Sequence, residues 1–185
     1  MLAAGALCLP LLAQADETDV ELTATVVKNT CSIALDNNAV IDLGSREISD
    51  FTTYIDPETP GSGGRSFYIR VENCEDAKGL NPTKLVVRFR PLLGQLAPGT
   101  TQIFPNEEAN GPKNIGIAIF SLQNPDNPQN VLDANGQPRS VYPWNPAAVN
   151  NQSYPFYTRM HRISAVAPVT AGPVNTRVWV EAYYE

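Results

Sequence analysis

Hydrophobic and polar residues alternate along much of this chain, most regularly at its C-terminal end. From Arg177 onward, Val178, Val180, Ala182 and Tyr184 fall on one face and Arg177, Trp179, Glu181 and Tyr183 on the other. That period of two predicts a strand with one buried face, and no turn or further strand follows it. The same period recurs upstream. Phe67, Ile69 and Val71 alternate with Tyr68, Arg70 and Glu72 and run into Asn73-Cys74. Leu85, Val87 and Phe89 alternate with Lys84, Arg88 and Arg90, and Ile115, Ile117 and Ile119 with Gly116 and Ala118. Further strands are predicted from Val26 to Leu35, from Ala39 to Gly44, and, with weaker patterning, from Ser153 to Val166. Turn clusters at Pro57 to Gly64, Asn124 to Gln129 and Asn135 to Pro138 separate them. Pro91 to Lys113 and Val141 to Asn151 read as long loops or edge insertions, with Trp144 on a rigid turn packing back onto the body.

No window carries an apolar stripe of period 3.6, and 16 prolines disfavour long helices. The sum is an all-β fold, a β-sandwich of the immunoglobulin type, whose two sheets need inward faces of this alternating kind. At the other end, Val20, Leu22, Ala24 and Val26 share one face, and Asp19, Glu21, Thr23 and Thr25 the other. This too reads as a strand, one whose apolar side needs a groove or a place inside its own domain. Residues 1–15 are uncharged, rich in Leu and Ala, and end in Ala13-Gln14-Ala15 before Asp16. They read as an export signal removed on secretion, although the usual basic start is missing.

Composition narrows the function. A formal net charge of −6 argues against nucleic acid and anionic membrane surfaces as partners. Of the three cysteines, Cys8 is expected to leave with the signal. Cys31 and Cys74 remain, an even count in an exported chain, and are expected to form a disulfide. Closing a loop of that length stabilises by about 4 kcal/mol on a chain-entropy basis. His161 is the only histidine, so neither a zinc site nor a histidine-dependent catalytic site finds enough partners. It is expected at a surface or edge, flanked by Arg159 and Arg162. Nothing fixes Glu107 with Glu108, or Asp126 with Asp133, as a catalytic pair. Pro60-Gly61-Ser62-Gly63-Gly64 lacks the lysine and helix of a phosphate loop. No enzymatic activity, metal or cofactor is expected. Tyr54, Tyr142, Trp144, Tyr154 and Tyr157 could form a sugar-stacking surface or, as favoured here, fill the core and loop bases.

Several segments together resemble the subunits of chaperone–usher pili. The C-terminal strand follows Gly172, fourteenth from the end, and carries a penultimate tyrosine, as the pilin C-terminus does. The segment before Cys31 looks like the N-terminal extension of type 1 and P-pilus tip and adaptor subunits, with the small Ala24 seven positions before the cysteine. Phe67 to Cys74 looks like the strand leading to the second pilin cysteine, and Asn114 to Ile119 like the family's central strand.

The resemblance implies an incomplete immunoglobulin-like sandwich lacking its last strand, with an N-terminal donor-strand extension. It divides the chain into a signal (1–15), an extension (16–28) and a pilin domain (29–185). Val20, Leu22, Ala24 and Val26 would be the donor residues. Val178, Val180, Ala182 and Tyr184 would line the groove edge, with Gly172 ahead of them and the Glu185 carboxylate meeting basic residues of a chaperone. The implied partners are a periplasmic pilus chaperone, an outer-membrane usher and neighbouring pilin subunits, on a route through the periplasm to the cell-surface fimbrium. The short stretch before Cys31 leaves no room for a lectin domain, and the donor pattern is intact. A minor or adaptor subunit is therefore expected first and a major shaft subunit second. The alternative is a self-sufficient secreted β-sandwich that binds carbohydrate or protein directly.

Overall fold

The computed structural model describes residues 19–24, 31–35, 39–57, 59, 61–74, 81–123, 129–130, 139–145 and 152–185. Among these the regular structure is β, apart from a 3-10 turn at Ile48–Phe51. The strands are β1 (Asp19–Ala24), β2 (Ser32–Leu35), β3 (Val40–Asp42), β4 (Arg65–Glu72), β5 (Lys84–Pro91) and β6 (Ile103–Pro105). They continue with β7 (Ile115–Ser121), β8 (Gln129–Asn130), β9 (Arg139–Pro143), β10 (Gln152–Arg162) and β11 (Thr176–Tyr184). One sheet has the order β3-β1-β11-β5-β9. The other has the order β2-β4-β10-β7-β6, with β8 also paired to β7. Together they form an immunoglobulin-like β-sandwich.

The alternation read from the sequence is the alternation of burial. In β4, Phe67, Ile69 and Val71 point inward between exposed neighbours, and in β11 every second residue from Thr176 to Tyr184 is buried. Phe156 of β10 fastens the sheets to each other. Its ring stacks on Phe67 at 5.6 Å and meets Phe89 of β5, in the opposite sheet, edge-on at 5.1 Å. Such aromatic contacts add to the area they remove from water. The central strand β7 is buried at all seven positions. At Gly116 an added Cβ would stand 2.4 Å from the Phe104 carbonyl oxygen of β6. Glycine there lets the β6 backbone close over the strand.

Cys31 and Cys74 are joined by a disulfide with an S–S distance of 2.05 Å, and both residues are buried. The bond sits just beyond the β2–β4 ladder, which begins at Ser32 opposite Glu72. It therefore pins the entry of the chain into the sandwich.

The weakly patterned strand expected from Ser153 is present as β10, an eleven-residue strand between β4 and β7 that ends at Arg162, and two other expectations need correction. Pro155, Arg159 and His161 obscured it, because this strand is covered on both faces. His161 is accordingly buried (2% exposed) rather than at a surface or edge. Its outer-face neighbours are roofed by the turn-rich segment before β4. Arg159 donates to the Thr59 carbonyl (3.3 Å), and the Tyr157 hydroxyl accepts from the Gly64 N–H (2.7 Å). The supposed loops also contain strands: β6 lies within 91–113, and β9 overlaps the start of 141–151. In β9 the inward positions are Ser140 and Tyr142, so hydroxyls stand where apolar residues would have signalled a strand.

Trp144 does pack on the body, with its ring centroid 5.4 Å from that of Tyr184. Tyr142 and Tyr154 are buried against each other at 4.4 Å, which removes two of the five aromatics from any sugar-stacking surface.

Two outcomes follow from this packing. Phe156→Ala, which empties the contact between the sheets, should lower unfolding free energy by about 3–5 kcal/mol in chemical denaturation. Burial holds the His161 imidazole below its ordinary pKa of 6.5. The Arg162 carbonyl opposes that shift, nearby Arg159 adds to it, and Asp56 opposes it. The unfolded chain then takes up a proton that the folded chain refuses. Stability is full above about pH 6.5 and falls as pH drops from there toward the depressed folded-state value. His161→Gln should flatten the decline in unfolding midpoint between about pH 7.5 and 5.5. An unchanged slope would contradict the assignment.

Candidate functional site

The site follows from the hydrogen-bonding needs of β11. Its buried face, Thr176, Val178, Val180, Ala182 and Tyr184, forms one wall of the core. One backbone edge is paired antiparallel with β5, from Val178 opposite Pro91 to Tyr184 opposite Leu85. Among the described residues the second edge has no strand partner from after β3. It is paired instead with β1, in parallel, over five residues: Val20 opposite Thr176, Leu22 opposite Val178 and Ala24 opposite Val180. Farther along the same edge the Cys31 N–H donates to the Ala182 carbonyl at 3.0 Å. The other side of β1 pairs antiparallel with β3, with Asp19 opposite Asp42 and Glu21 opposite Val40.

Without β1 the five-stranded sheet would hold a one-strand gap between β3 and β11. That slot is the candidate site. It would expose the backbone groups of both strands together with the apolar wall behind them, a surface prone to further strand pairing.

The outer face of β11 holds the edge straight. The Arg177 Nε–H donates to Glu107 Oε2 at 2.7 Å, and the Arg177 backbone N–H donates to Glu107 Oε1 at 3.2 Å. Glu181 takes Arg90 as its close partner, has Arg88 at 3.8 Å, and accepts from Trp179 Nε1–H at 3.1 Å. Arg88 also lies over the Tyr183 ring, 5.1 Å from its centroid, and donates to its hydroxyl at 2.9 Å. Individually such pairs near the surface contribute little. Together they give β11 a fixed outer face tied to β5 and to the Glu107 loop.

The residues singled out in the sequence are distributed as follows. Val20, Leu22 and Ala24 lie on β1, in register beside the alternate buried residues of β11. Val26 lies outside the described residues. Val178, Val180, Ala182 and Tyr184 line the wall next to the slot. Gly172 sits ahead of β11 with a φ of 145° and its Cβ position 3.1 Å from Pro112 Cδ, so a side chain there would be strained and crowded. Glu185 is engaged within the chain. Its backbone oxygen accepts from the N–H groups of Thr83 (2.7 Å) and Lys84 (3.0 Å), and its side chain meets Arg139 at 2.9 Å.

Sequence reasoning did not identify β3 as the opposite wall of the slot. The only available signal was the apolar run of Val40, Ile41 and Leu43 following the first cysteine. Of the acidic residues considered as catalytic pairs, Glu107 serves Arg177 structurally. Among the described residues no group of three or more His, Cys, Asp or Glu could hold a metal ion.

The fimbrial-like protein YadK of Escherichia coli (strain K12), itself described as uncharacterized, is 39% identical over 168 residues, spanning 90% of this chain and 85% of that protein. A model of the Fimbrial protein family matches residues 20–185, from the second residue of β1 through the whole of β11. The chain belongs to the Fimbrial protein family and is a structural pilus protein.

Proposed function

We propose that this chain is a minor or adaptor subunit of a chaperone–usher fimbria and polymerises by donor-strand exchange. The observation that carries the reading is the slot between β3 and β11, which is closed by a segment from before the first cysteine. A strand from any source that alternates apolar residues at the right spacing meets the same requirements there. Its backbone completes two ladders, and its alternate side chains face the apolar wall.

In this reading residues 1–15 direct export and are removed, 16–28 form the donor extension, and 29–185 form the pilin domain. A periplasmic chaperone fills the slot first. At the outer-membrane usher the extension of the next subunit replaces it, and the product is displayed on the cell surface. Val20, Leu22, Ala24 and Val26 are the residues given to the neighbour. Gly172 precedes the receiving strand, and Glu185 at its end is the contact offered to the chaperone.

Ala24 is the position at which the neighbour's groove has least room. Overpacking a buried site costs about 1–3 kcal/mol, which corresponds to a several-fold to hundredfold loss of assembly. With the full chain exported alongside a fimbrial chaperone and usher, Ala24→Trp should reduce surface multimers accordingly, and Ala24→Gly should leave them near wild type. Undiminished multimers from Ala24→Trp would overturn the donor assignment.

A further inference from the structure

We propose that residues 19–24 act as an intrachain plug, occupying the chain's own groove as a short parallel strand that must withdraw before the same segment can serve a neighbour. The inference rests on the donor reading above and adds to it a self-closed resting state of the subunit.

Three features of the slot support it. First, β1 is paired on both sides, with β11 in parallel and with β3 antiparallel, so the slot is filled rather than merely approached. Second, the register is in phase with the core: Val20, Leu22 and Ala24 stand opposite Thr176, Val178 and Val180, all three of them fully buried residues of β11.

Third, the direction follows from the tether. Cys31 is fixed beside Ala182 by its N–H bond and by the disulfide to Cys74, and only six residues separate it from Ala24. In the parallel arrangement Ala24 lies opposite Val180, two residues from Ala182. Reversing the strand would carry Ala24 to the Thr176 end, about 20 Å from Ala182 at strand rise. The link reaches about 23–25 Å when fully extended, so reversal would pull it almost straight. A neighbour's strand carries no such tether and is free to run either way along the whole edge.

Among the described residues the plug pairs with five of the nine residues of β11, the Cys31 N–H takes the Ala182 carbonyl ahead of the last two residues of that strand, and parallel pairing is slightly weaker per residue than antiparallel pairing. A donor covering all of β11 has more to offer than the chain's own segment, so the closed state is a replaceable one.

The test is disulfide trapping in the full exported chain. Leu22→Cys with Val178→Cys should form a link within single molecules, found in the monomer fraction by peptide mapping under non-reducing conditions. Ala24→Cys with Val180→Cys serves as a second in-register pair should the first fold poorly. Leu22→Cys with Ala182→Cys is the out-of-register control and should stay reduced. Mixing isotopically labelled and unlabelled chains separates links within a molecule from links between molecules. The locked monomer should fail to enter multimers with chaperone and usher present, and reduction should restore entry to the level of the same variant kept reduced throughout.

Free thiols at both in-register pairs in the monomer would overturn the plug. So would a locked chain that assembles as fast as wild type. If the intrachain link forms but neither wild-type nor reduced chains ever assemble, the donor reading fails, and the release step falls with it. Links found only between molecules in multimers would keep the donor reading and overturn the plug.

Discussion

A strand inside a sheet must satisfy its backbone on two sides, and for β11 the two sides are met by strands from separate parts of the chain, one near its start and one near its middle. β5 covers one edge in an antiparallel ladder, and β1 covers part of the other. The inward face of β11 supplies Val178, Val180, Ala182 and Tyr184 to the core that Phe156, Phe67 and Phe89 close from the other strands. Whatever lies beside β11 therefore covers unpaired backbone and the flank of the hydrophobic core at the same time. Leaving that position empty would combine the hazard of an open edge with that of an exposed apolar wall.

The surrounding structure is arranged so that β11 keeps its shape whichever strand lies beside it. Glu107 grips Arg177, Glu181 gathers Arg88, Arg90 and Trp179, and the Glu185 backbone oxygen accepts from Thr83 and Lys84. None of these contacts involves β1. The disulfide works in the same sense on the entering chain, since it holds Cys31 at Ala182 independently of what precedes it. The β11 edge is thus held by parts that do not depend on β1, which is what the proposed exchange of one strand for another would require.

Much of this was legible in the alternation of the sequence, and the reasons for the misses are physical. β4, β5, β7 and β11 each have apolar residues at the positions that face the core, so period two marks them. β10 was only weakly marked because its outer face is roofed, which puts Arg159 and His161 inside, while Pro155 interrupts the pattern. β9 escaped because its inward residues, Ser140 and Tyr142, carry hydroxyls, and Ser121 and Tyr142 lie 3.2 Å apart across the core. At the slot, the pattern of Val20, Leu22 and Ala24 declared a strand in need of a groove. It left open whether that groove belonged to the same chain or another. Alternation encodes which face is buried, and pairing partner and direction depend on tethers that a local pattern does not carry.

The direction of β1 has an energetic consequence. A tethered strand competes at a high effective concentration, in the millimolar range for short flexible links, which favours occupancy of its own groove over capture by a dilute neighbour. Pairing length works the other way, since the Cys31 N–H already occupies the Ala182 carbonyl, short of the end of β11, whereas an untethered donor would be able to span all nine residues. The first advantage is entropic and fixed by the link to Cys31. The second grows with each additional ladder bond and each additional side chain set against the apolar wall. If the plug proposal holds, such a subunit would be closed when alone and would open to a partner whose strand covers more of β11. On that proposal the length of the link before the first cysteine would bear on assembly as much as the residues of the donor strand itself.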